Sequence, residues 1–163
     1  MRHTNGTEGG DVAESARPLL VASTATVVAA VVGNGFVGRE SLAWFRSLHR
    51  PRGMPSMPVF MAVGAAYYLA MGTVLYRSVR RGDRAATGLA LGVLVLNEAW
   101  NVAFFGRRSP RNGFVGTVAF AGPLTGLGIA VRHDPLSRGL VGGYAGWVAY
   151  DLWWSYGLWK LNP

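Results

Sequence analysis

An aspartate sits in the middle of the most aromatic apolar stretch of the chain. The run from Gly146 to Asn162 reads G-W-V-A-Y-D-L-W-W-S-Y-G-L-W-K-L-N and holds four of the six tryptophans, with Asp151 near its centre. Wound as a helix, it places Tyr144, Trp147, Asp151, Trp154, Ser155 and Leu158 on one stripe by steps of three and four. A carboxyl among tryptophans inside a bilayer is costly, so it needs a cationic partner, a bound proton or water. An aromatic stripe alone reads as core packing; the carboxyl turns the balance toward the wall of a ligand cavity. Trp153 and Trp159 fall off the stripe and read as lipid-facing or interfacial aromatics.

A second constellation lies in L-N-E-A-W-N-V-A-F-F, Leu96 to Phe105. Asn97, Trp100 and Phe104 are spaced i, i+3, i+7 and share a helix face, which Asn101 joins. An amide in a bilayer must find a partner. Asn97 therefore either ties its helix to a neighbour's backbone or stands in a cavity wall with Trp100 as a stacking surface. Glu98 is turned about 100° from Asn97 and lies roughly 10 Å below the helix end. A structural hydrogen bond or an arginine pair is its expected role, with proton or ligand chemistry the minority reading. No Ser-His-Asp set, H-E-x-x-H or Walker loop occurs. His3, His49 and His133 lack metal-ligand spacing, and without cysteine there are no disulfides or thiolate sites.

The elements that must position these groups are apolar spans. Half of the 163 residues are hydrophobic, and five runs are each long enough to cross a hydrocarbon core: 19–37, 59–76, 85–105, 113–131 and 140–159. The expected fold is all-α, a polytopic membrane protein built as a five-transmembrane-helix bundle. Residues 1–17 read as a disordered polar tail and 18–163 as a single domain. The pairs Gly88/Gly92, Gly122/Gly126, Gly139/Gly143 and Gly142/Gly146 are candidate helix–helix contacts. The net charge of +8 comes from residues flanking the spans, not from a basic stripe, so nucleic acid is not an expected partner. The sixteen basic residues divide eight and eight between the two faces, which leaves orientation unassigned.

Four segments carry a family resemblance. They are E-S-L-A-W-F-R-S-L-H-R-P from Glu40, the residues Phe60, Val63, Tyr68, Met71 and Gly72, the Leu96–Phe105 run, and Y-A-G-W from Tyr144 leading to W-K-L-N. In order and spacing they resemble the translocator protein family, also called tryptophan-rich sensory proteins or peripheral benzodiazepine receptors. The resemblance implies a membrane bundle of five helices, usually a homodimer, with a pocket for tetrapyrroles inside each bundle. It implies a cavity formed by Asn97, Trp100, Phe104, Tyr68, Trp147, Asp151 and Trp154. Trp44, His49 and Arg50 would then cap it. Tyr156 and Lys160, within a proposed cholesterol-contact pattern beginning at Leu152, become candidate sterol contacts; ordinary interfacial placement is the competing and favoured reading. The chain departs from the family at Pro58, Ala62, Gly64, Val93, Gly143 and Ser155. At Asp151 the family carries a small residue.

The expected function is a receptor or carrier, in an undetermined membrane, for a porphyrin or haem, needing no cofactor beyond the tetrapyrrole as ligand. Light-dependent porphyrin degradation and proton-coupled transport through Glu98 and Asp151 are the alternatives. The missing aromatics at Pro58 and Gly64 weaken the first. The lack of an inverted repeat weakens the second.

Overall fold

The computed structural model describes residues 8–163, with side chains from Ala16 onward. The helices are α1 (Glu8–Gly35), α2 (Arg39–Ser47), α3 (Met57–Arg80), α4 (Arg84–Asn101), α5 (Pro110–Ala130) and α6 (Pro135–Leu161). A single π turn, Val102–Gly106, continues α4. The helix starts follow the residues available there. Pro110 and Pro135 open α5 and α6, where a missing N–H costs nothing. Asp83 caps α4 by accepting from the Ala86 N–H at 2.9 Å. α1 begins at Glu8, inside the segment read as a tail; residues 1–7 lie outside the described residues.

Among the described residues there are five long helices, and four of them are both long and apolar enough to cross a membrane: Ala16–Gly35, Met57–Arg80, Arg84–Gly106 and Pro110–Ala130. α6 is 27 residues long, yet its glycines, tyrosines, tryptophans and Asp151 dilute its apolar character. Five equivalent spans are therefore an overstatement. A second correction concerns the first loop, half of which is α2. Ser41, Trp44, Phe45 and Leu48 repeat at i, i+3, i+4, i+7, and this edge is the buried or half-buried one.

α1 packs on α3 and α4, α5 lies between α4 and α6, and α3 closes the bundle against α6. Two apolar clusters hold it. One joins Met71, Val74, Leu75, Ala90, Val93, Leu124, Leu127 and Val141. The other joins Phe45, Phe104, Phe105, Trp154 and Leu158. Polar ties close both ends. At one end Asp134 is buried against Arg77 and Arg81, each at 2.7 Å, and accepts from Ser137. The Arg77 hydrogen bond, with those of Arg81 and Ser137, holds the Asp134 carboxyl well below the usual carboxylate range against the opposing effect of burial. At the other end Asn162 grips the His49 backbone twice: its Oδ1 accepts from the N–H and its Nδ2 donates to the carbonyl, both at 3.0 Å. The Tyr150 hydroxyl donates to the Gly53 carbonyl. The first loop is thus fastened to α6.

The paired glycines do not bring these helices together. Gly88, Gly92, Gly122, Gly139, Gly142, Gly143 and Gly146 face open space, and only Gly126 of those pairs meets a neighbour, Leu89. Close approach occurs elsewhere. A Cβ on Gly33 would collide with the Glu98 carboxylate, and one on Gly116 would lie 2.9 Å from the Trp100 ring.

Candidate ligand-binding site

A partly open cavity of about 380 Å³ lies between the two apolar clusters and draws its walls from all five long helices. α3 contributes Phe60, Gly64, Tyr67 and Tyr68, which repeat at i, i+4, i+7, i+8 along one face. α4 contributes Asn97, Trp100 and Asn101, the π turn Phe105, α5 Thr117 and Phe120, and α6 Tyr144, Trp147, Val148 and Asp151. α1 adds Gly33 and Asn34, and Val37 follows just beyond its end.

Trp100 is held rigidly. Its Nε1 donates to the Gly113 carbonyl at 2.9 Å and to Thr117 Oγ1 at 3.0 Å, and its ring stacks on Phe104 at 5.0 Å. Glu98 is 6% exposed and stands behind the wall. It accepts from the Tyr68 hydroxyl at 2.9 Å, Asn97 Nδ2 at 3.1 Å and Asn101 Nδ2 at 3.0 Å. Its role here is a structural hydrogen-bond hub, and its partners are neutral rather than an arginine. Asp151 differs: it lies on the wall, is 8% exposed, and its Oδ1 is buried without a partner.

Of the expected wall residues, Tyr68, Asn97, Trp100, Trp147 and Asp151 meet at the cavity. Phe104 and Trp154 lie behind it, each 1% exposed. For Phe104 the reason is the π turn. The wider turn carries an extra residue, so the position due at Phe104 passes to Phe105, and Phe104 turns into the core against Phe45. For Trp154 the reason is Phe60, which stands in front of it with ring centroids 5.2 Å apart and meets Trp147 at 5.9 Å. The expected cap is not on the wall either. Trp44 packs edge-on against Phe104, His49 is held through its backbone by Asn162, and the Arg50 guanidinium covers Phe45 at 5.5 Å. Tyr156 and Lys160 lie outside the cavity, with the Lys160 ammonium above the Tyr156 and Trp159 rings at 5.6 and 5.1 Å. Ser155 is buried and also off the wall.

Phe60, Tyr67, Phe105, Thr117 and Phe120 line the wall in addition to the residues expected from the sequence. The α3 stripe was there to be found by its period. Phe105 was hidden by the π turn, and nothing in the sequence of α1 marks Gly33 and Asn34.

Residues 22–160 match the sequence profile of the TspO/MBR family. The chain belongs to that family. It is 30% identical over 138 residues to a protein named Translocator protein from Homo sapiens, covering 80% of this chain and 82% of that one. It is 25% identical over 147 residues to Tryptophan-rich protein TspO from Archaeoglobus fulgidus, covering 88% and 96%. A protein of that name from Chlorobaculum tepidum is 29% identical over 138 residues, covering 80% and 87%. With its long apolar helices, this TspO/MBR protein is an integral multi-pass membrane protein.

Proposed function

We propose that the protein is a membrane receptor or carrier that takes a flat, hydrophobic, tetrapyrrole-like molecule, a porphyrin or haem, into the intrabundle cavity. The observation that carries this reading is the aromatic wall: Phe60, Trp100, Phe105, Phe120 and Trp147 converge on one space from four helices, with Phe105 on the π turn that continues α4. The volume of about 380 Å³ lies within the range of small-molecule sites. Trp100, fixed by two acceptors, offers a face that needs no ordering on binding. A carrier role accords with the name of the human relative. No lysine, arginine or histidine is among the described lining residues, so the carboxylate edge of a porphyrin would be directed to the opening.

Titration of the purified protein with protoporphyrin tests this. Saturable tryptophan quenching in the dark is expected, and Trp100→Ala and Trp147→Ala should each weaken it by about 1 kcal/mol, the scale of one aromatic contact. Equal affinity in both variants, with the fold retained, removes the cavity from the function. Light-dependent loss of the Soret band would make the protein an enzyme instead. The same proposal includes a homodimer joined through the outward Gly88/Gly92 face of α4.

A further inference from the structure

We propose that the cavity selects its ligands by charge: Asp151 receives an N–H from a flat aromatic amine or ammonium, and ligands that bring a carboxylate to that position are rejected. This rests on the reading of the cavity as a ligand site and specifies what the site takes.

Asp151 Oδ1 lacks a donor. On the other four helices the polar side chains of the wall donate to other acceptors. Asn34 donates to Ala30, Tyr67 to Val93, Tyr68 to Glu98, and Thr117 to Gly113. Asn97 and Asn101 donate to Glu98. On α6 itself, Tyr144 and Trp147 precede Asp151 by seven and four residues and Trp154 follows it by three; none reaches its Oδ1, and the buried Trp154 Nε1 is likewise without a partner. A buried acceptor without a partner is destabilising, and a ligand that supplies the missing donor removes that cost.

The walls suit a positive group as well. Trp147 lies one helical turn from Asp151, Phe60 packs against Trp147, and aromatic faces attract cations most strongly when water is excluded. The proton balance also favours an amine. An ammonium beside a carboxylate and a neutral amine beside a carboxylic acid have the same composition, so the pair is neutral overall wherever the proton sits. An anionic ligand instead leaves a net negative charge in the cavity, with no basic side chain among the described lining residues to offset it.

Three probes of one three-ring shape test this: cationic 9-aminoacridine, neutral 9-anthracenemethanol and anionic 9-anthracenecarboxylate. Each is titrated into the full chain in nanodiscs of zwitterionic lipid, with empty nanodiscs as the partition control. The wild type should bind 9-aminoacridine at least tenfold more tightly than 9-anthracenecarboxylate. Asp151→Asn, close to isosteric, should bring that ratio to within threefold of unity. Asp151→Ala, which restores a small residue, should do the same and raise affinity for the anion. A wild type without cation preference, or a preference that survives in both variants, overturns the proposal. The neutral probe separates the two readings. If its binding is saturable and weakened by Trp147→Ala, the cavity is a ligand site even where charge selection fails. If no probe gives saturable quenching, both readings fall.

Discussion

Replacing Glu98 by leucine should destabilise the bundle by about 2 to 3 kcal/mol, whereas glutamine should cost about 1 kcal/mol or less. The difference follows from counting donors. Glu98 accepts from three groups on two helices: the Tyr68 hydroxyl and the side-chain amides of Asn97 and Asn101. Leucine removes all three acceptor contacts at once. Intramembrane hydrogen bonds average about 0.6 kcal/mol and reach about 1.7 kcal/mol, so three of them give about 2 kcal/mol. Donors left without partners in a dry site push the figure upward. Glutamine keeps one oxygen for Tyr68 and Asn97. Its new NH₂ faces Asn101, whose amide can rotate by half a turn to present its oxygen. Unfolding by SDS in mixed micelles, followed by tryptophan fluorescence, measures both variants. A leucine variant within about 0.5 kcal/mol of wild type, or a glutamine variant as damaged as leucine, would refute the reasoning.

Asp134 carries the expected pH dependence. Its folded pKa is depressed, so the stability it lends is complete above the ordinary value near about 4 and is lost as pH falls through the folded value. The stability gap between wild type and Asp134→Asn should therefore be constant from about pH 5 to 8 and shrink below about pH 4 in thermal unfolding. Gly88 faces open space, so Gly88→Leu should leave the fold intact and reduce the oligomer size in lipid where α4 pairs with its copy; an unchanged size places the contact on another face.

The long helices were legible because apolar length is written into composition, and the α3–α4 and α5–α6 turns carry Gly82, Asp83 and Pro135 where helices must break. α2 was not: Ser41, Trp44, Phe45 and Leu48 repeat at helical spacing, but the charged residues between them mark the segment as a loop. The π turn was not. It conserves every residue and shifts the register by one, so a stripe extrapolated from Asn97 and Trp100 arrives at Phe104 when the wall holds Phe105. The glycine pattern failed for a related reason. Small-residue spacing identifies a face able to approach a neighbour, not the neighbour itself. Inside this chain the tight approaches are set by large partners, Glu98 against Gly33 and Trp100 against Gly116. Trp154 shows the limit for the site: its stripe position is right, and a side chain from another helix, Phe60, stands in front of it.

The two carboxyls inside the bundle are almost equally buried, at 6% and 8% exposure, so burial does not separate their roles. The number of donors does: three reach Glu98, and none reaches Asp151 Oδ1. Tyr68 connects the two settings, because its ring forms part of the cavity wall while its hydroxyl serves Glu98 behind it. A ligand therefore meets the ring and not a free hydroxyl. Tyr68→Phe keeps the ring and withdraws one of the three donors. It should lower stability by about 0.6 kcal/mol, the average intramembrane hydrogen bond, and leave protoporphyrin affinity within about twofold of wild type. A tenfold loss of affinity at unchanged stability would mean that the hydroxyl belongs to the ligand, that Glu98 is held by the two asparagines alone, and that the wall offers a second unsatisfied polar group besides Asp151.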